Sequence, residues 1–118
     1  MHKKPLCKDK NHWMEAKHKK IFIDALNSQE FEQMSDFYIS GVYKNKICTC
    51  AAGAYIAKIN KLTVKEAKAI NKNNQADLDF GWLSSEVNTC LLEDLINLND
   101  NLAWTFIEIA EWVDEHVQ

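Results

Sequence analysis

Arginine is absent from the 118 residues, and all 14 basic side chains are lysine. Only arginine offers a planar fork of donors that grips carboxylate, phosphate or guanine through two bonds at once. Its absence argues against sequence-specific DNA readout and against phosphoryl transfer. Glycine is nearly as scarce. Gly41, Gly53 and Gly81 stand too far apart to bring clustered backbone N–H groups up to a phosphate, which excludes the P-loop and the dinucleotide fingerprint. Neither G-x-S-x-G nor H-E-x-x-H occurs. With one proline and three glycines, the chain has few helix breakers and favours helix.

Long apolar runs are missing too. The longest, Cys50–Ala57, has eight residues, where a membrane-spanning helix needs about 20. The opening stretch Met1-His2-Lys3-Lys4-Pro5-Leu6-Cys7 has basic residues with no apolar stretch behind them, so no signal peptide and no membrane partner are expected. A cytoplasmic location follows as the expectation, with Cys7, Cys48, Cys50 and Cys90 as thiols.

What is present is a steep charge gradient. Residues 1–20 carry seven lysines against Asp9 and Glu15, and residues 73–118 carry ten acids and no lysine. The net charge of −3 hides this segregation.

The patterning predicts a mainly α single domain of about five helices over 11–118, preceded by a basic arm at 1–10. From about Asn11 to Leu26, residues Met14, His18, Ile21, Phe22, Ala25 and Leu26 share one helical arc. Aromatic and β-branched residues around Lys44-Asn45-Lys46 predict a small hairpin within 37–49, pairing 37–42 with 46–49. Cys50–Ile59 is nearly all small or apolar and reads as a central, buried helix. Thr63 with Glu66 forms a capping box for a short helix through about Lys72. Ser84 or Ser85 caps a helix over about 86–98. Val87, Leu91, Leu95 and Leu98 point inward there, and Glu86, Glu93, Asp94 and Asn97 outward. Asn99-Asp100-Asn101 is a turn, and Thr105 with Glu108 opens a last helix from about Phe106 to Val117. Its inner face is Phe106, Ile109, Ala110, Val113 and Val117. Its outer ridge is Glu108, Glu111 and Glu115, flanked by Ile107 and Trp112.

Chemistry has few footholds. Cys48 and Cys50 are two residues apart and can share a metal ion, with Cys7 and His12 completing a tetrahedral set. The spacing is not C-x₂-C, and small buried cysteines at the mouth of an apolar helix explain the same residues. No metal or cofactor is assigned, and a zinc- or thiol-dependent protein using Cys48 and Cys50 stands as an alternative. One Glu-x-x-His motif, Glu15 to His18, lacks the second copy that a di-iron bundle needs. The lysine-rich N-terminus with Trp13 suits a solvated arm better than nucleic acid, because the acidic remainder repels phosphate.

Three stretches together carry a resemblance. Ala25 to Gln33 resembles a Leu-x-Ser-Gly-x-aromatic-x-Gln opening. Ile47 to Ala54 resembles a Cys-Cys-apolar-Gly-apolar helix start, with Thr49 inserted between the cysteines. Leu98-Asn99-Asp100 followed by Thr105 to Val113 resembles Leu-Asn-Asp with Ser/Thr-Phe-x-Glu-Ile-Ala, although Asn101–Trp104 replaces a Gly-containing turn. This set resembles a group of small uncharacterised proteins encoded by bacteriophages and prophages. The resemblance implies a phage or prophage setting, with the host cytoplasm as compartment, and assigns no functional residue.

The expected function is non-enzymatic binding of a protein with a basic surface. In a phage setting this means an inhibitor of a host defence or nucleic-acid-handling protein. A toxin-neutralising immunity protein is the alternative. The expected contact residues are Glu93, Asp94, Glu108, Glu111, Trp112 and Glu115, with carboxylates for steering and the indole as anchor.

Overall fold

The computed structural model describes residues 14–35, 37–70, 78–81 and 89–117, and for 89–90 the backbone alone. The expected basic arm, Cys7, His12 and the expected cap at Ser84 or Ser85 lie outside the described residues. The elements run α1 (Ala16–Asn27), β1 (Phe31–Gln33), β2 (Ile39–Tyr43), β3 (Lys46–Thr49), α2 (Ala51–Ile59), α3 (Val64–Lys68), α4 (Thr89–Ile96) and α5 (Phe106–His116), with a π-helical turn at Asn97–Asn101. The mainly α architecture with a small β element is as expected. The Cα radius of gyration is 13.2 Å, against about 13.5 Å for one folded domain of this length.

The expected hairpin is β2 with β3, closed by the pair Tyr43 and Lys46. Its two central residues, Lys44 and Asn45, both have positive φ (49° and 64°), as a type I′ turn requires. A bulge between Ile39 and Gly41 uses the φ of +115° at Gly41. The sequence did not indicate β1, which pairs parallel with β3 so that β3 is the middle strand.

Helix α2 follows β3 directly and is buried from Ala51 to Ala57. It occupies the centre, with α1 and α4 packed on it and α5 packed on α1. Small residues allow this crowding. A Cβ on Gly53 would collide with the backbone carbonyl of Tyr38, so only glycine fits there. Phe22 and Tyr55 stack at 5.6 Å between α1 and α2, and the main core continues through Leu95, Leu98, Ile109 and Val113. A smaller core of Ile39, Ile47, Ala57 and Ala67 lies between the sheet, α2 and α3.

Both expected capping boxes are formed, at Thr63/Glu66 and at Thr105/Glu108. Two expectations need correction. The short helix α3 ends at Lys68, four residues before Lys72. The turn expected at Asn99-Asp100-Asn101 is part of a π-helical extension of α4. One extra residue in that turn re-aims the side chains that follow; Asn97, expected on the outer face, is buried, as is Asn99.

Candidate functional site

The outer face of α5 starts from a rigidly held N-terminus. The Glu108 backbone N–H donates to Thr105 Oγ1 at 3.2 Å, and the Thr105 N–H donates to Glu108 Oε1 at 2.9 Å. A third bond comes from far along the chain, where the Phe106 N–H donates to Gln33 Oε1 at 2.9 Å. The register of α5 is thereby tied to β1. Position 107 then projects from the protein, and Ile107 is 54% exposed, the most exposed of the large apolar side chains among the described residues. Glu111, Asp114 and Glu115 are exposed at spacings of four, seven and eight from Ile107, one stripe on a 3.6-residue helix. Among the described residues neither Glu111 nor Glu115 has an ion-pair partner. Lys19 of α1 reaches this helix but donates to the Asp114 backbone carbonyl at 3.1 Å.

The expected contact residues divide. Glu111 and Glu115 are exposed on the ridge, and Glu93 is exposed on α4. Glu108 is half-buried and committed to its capping box. Trp112 and Asp94 are corrections, since both are buried and cannot touch a partner at the surface. Trp112 is 3% exposed, and its ring stacks on His116 with centroids 5.6 Å apart, while His116 Nδ1 donates to the Trp112 carbonyl. The buried arc of α5 is thus about 160° wide at 100° per residue and includes the Trp112 flank but not the Ile107 flank. Asp94 is fully buried. With Leu91, Leu95 and Leu98 it completes an i, i+3, i+4, i+7 stripe, which is an inward position rather than an outer one. The exposed apolar side chain beside the acidic ridge is therefore Ile107, a residue the sequence placed on the ridge flank without a role.

Beside Ile107 lies a hollow of about 280 Å³, lined by Leu26, Phe31, Glu32, Lys46 and Phe106 among others. It is wide enough for one apolar side chain.

The cysteines present a different picture. Cys50 caps α2, and its Sγ accepts from the Gly53 N–H at 3.3 Å. Burial pushes the thiol up to about 11, against the smaller opposing effect of the Gly53 N–H. The Cys48 thiol is also raised, first by burial and then by the charge of Glu32. A metal ligand or nucleophile must be thiolate, and both sites disfavour that form. Among the described residues no three His, Cys, Asp or Glu side chains group to hold a metal ion.

Next to Cys50 the chain closes a polar node. Asn99 Oδ1 accepts from the Ala51 N–H at 3.1 Å and from Gln33 Nε2 at 2.8 Å. Asn99 Nδ2 donates to the Met34 carbonyl at 2.8 Å, and Gln33 Nε2 also donates to the Trp104 carbonyl at 2.7 Å. These bonds serve backbone groups at the ends of β1, α2 and α5.

No helix among the described residues is long and apolar enough to cross a membrane. No family model, no curated protein and no solved structure matches the chain.

Proposed function

We propose that the protein is a non-enzymatic binding module that lays the outer face of α5 on a basic surface of a partner protein. In a bacteriophage or prophage setting it acts as an inhibitor of a host defence or nucleic-acid-handling protein. The observation that carries the proposal is the exposed stripe of Ile107, Glu111, Asp114 and Glu115. Carboxylates without partners do not stabilise a helix, since like charges one turn apart repel. Set in one stripe beside an exposed apolar side chain, they supply the charge, and Ile107 the apolar contact, of an interface. A rigid base behind the face, fixed through Gln33, keeps the stripe ordered before binding.

The phage setting rests on the resemblance, and two backbone angles support it. The opening pattern places a glycine where this chain has Gln29, and the late pattern has a Gly-containing turn where this chain has Asn101–Trp104. Gln29 (φ 62°) and Ala103 (φ 54°) both hold the left-handed conformation that glycine adopts most readily.

The test is a double charge reversal, Glu111→Lys with Glu115→Lys, in the full chain. Both positions are exposed, so stability should stay within about 0.5 kcal/mol of the parent. Capture of the partner from host cells should fall sharply with the variant, and with added salt for the parent. Undiminished capture by a folded variant overturns the proposal.

A further inference from the structure

A second surface has a different chemistry. A cleft of about 470 Å³ opens between the start of β1, the hairpin turn, the end of α2 and the start of α3, which is within the size range of small-molecule sites. Its apolar lining is Phe31, Ile47, Ala57, Leu62 and Val64, an opening onto the smaller core. Its charged rim is Glu30, Lys58 and Lys61.

The rim charges do not cancel. Lys58 Nζ pairs with Glu30 Oε2 at 2.6 Å, and that bond holds the Glu30 carboxyl below its ordinary value. Lys61 is exposed, and among the described residues its ammonium has no partner. One positive charge is left over beside an apolar floor.

The backbone at Lys61 is unusual for a lysine. Leu62 N–H donates to the Ala57 carbonyl and Lys61 N–H to the Lys58 carbonyl, both at 3.1 Å, the bond pair of a Schellman motif. In that motif the residue at position 61 is left-handed and is most often glycine, and Lys61 has φ 52°. The turn would be easier to form with glycine, yet the position carries a cation that lines the cleft.

The geometry points to this cleft as a binding site for a small amphiphile with an apolar body and a single anionic head. The body lies on Phe31, Ile47, Leu62 and Val64, and the head meets the Lys61 ammonium. Complementarity decides the sign, since the unpaired charge at the rim is positive. The cleft shares Phe31 with the hollow beside Ile107 but is lined by none of the carboxylates of α5, and its test reads Lys61, so the two proposals are tested separately.

The test is a titration of the full chain with sodium octanoate, octylammonium chloride and 1-octanol, followed by backbone amide NMR. Octanoate should shift the amides of Phe31, Ile47, Leu62 and Val64 saturably and bind more tightly than the other two. Lys61→Gly removes the cation and supplies the residue the turn favours, so its melting temperature should equal or exceed the parent's. Its octanoate affinity should fall about three- to fivefold, the upper part of what an exposed ion pair supplies. A lysine that served only to close the helix end would leave that affinity unchanged. Unchanged affinity in Lys61→Gly, equal binding of octylammonium or octanol, or no saturable shift with octanoate each overturns the proposal.

Discussion

Gln33 Nε2 donates to Asn99 Oδ1 at 2.8 Å, and this one bond joins residues 66 positions apart in the chain. Around it the two amides serve the Ala51 and Phe106 N–H groups and the Met34 and Trp104 carbonyls. The first turns of both α2 and α5 therefore depend on side chains from outside their own helices.

Removing either amide should be costly and the two losses should not add. Asn99→Ala leaves the buried Ala51 N–H and the Met34 carbonyl without these partners and should destabilise by about 2–4 kcal/mol. Gln33→Ala should lose about 1–3 kcal/mol. Urea unfolding of both single variants and the double variant should show a coupling of about 1 kcal/mol or more. Additive losses would show that the bond carries no shared energy.

Glycine should stabilise two positions where the chain lacks it. Ala103 and Gln29 hold left-handed backbone, which costs a non-glycine residue about 1–2 kcal/mol and glycine nearly nothing. Glycine loses more entropy on folding, about 0.5–1 kcal/mol. The balance for Ala103→Gly and Gln29→Gly is a gain of about 0.5–1 kcal/mol each, read as a higher urea midpoint at unchanged slope. A lower midpoint would contradict the backbone geometry.

Gly53 should tolerate no side chain. Alanine is the better helix former by about 1 kcal/mol. The methyl of Gly53→Ala meets the Tyr38 carbonyl, and overpacking of this kind costs about 1–3 kcal/mol. A net loss of stability is expected on thermal unfolding, opposite to the helix-propensity ranking.

The flanks of α5 should respond oppositely to truncation. Trp112→Ala empties a buried, stacked site and should cost about 3–5 kcal/mol. Ile107→Ala removes an exposed side chain and should change stability by less than about 0.5 kcal/mol. If the acidic face binds a partner, Ile107→Ala weakens that binding with no change in melting temperature.

Cys50 should be inert until the protein opens. A thiol raised from 9 to about 11 has about a hundredfold less thiolate at pH 8 than an ordinary cysteine, so alkylation by iodoacetamide should be slower by at least that factor. Peptide mapping by mass spectrometry reads this site alone. The sign of the stability effect follows from the same shift. The folded state holds this proton more tightly than the unfolded state, so its contribution is complete below about pH 9. Between pH 9 and 11 that contribution is lost as pH rises, at no more than about 1 kcal/mol per pH unit. Fast labelling of native protein at Cys50 would contradict the burial.

What the sequence determined by itself is what four or five neighbouring residues settle. Thr63 with Glu66 and Thr105 with Glu108 form their boxes within one helical turn, so both helix starts were legible. The apolar arcs of α1 and α5 and the apolar run of α2 gave the buried faces, because a helix repeats its faces every 3.6 residues. The hairpin was legible through a two-residue turn that joins strands next to each other in the chain. The exposed carboxylates at Glu111 and Glu115 followed from the same periodicity. Tertiary structure decided the rest. Strand β1 has three residues, too few to show a period, and its parallel partner lies beyond an intervening strand. Trp112 and Ile107 sit on opposite flanks of one helix, and only the packing around α5 chose which flank to cover. The bond between Gln33 and Asn99, like the cleft beneath Lys61, exists because distant segments meet, and no local pattern encodes which pairs of distant segments do so.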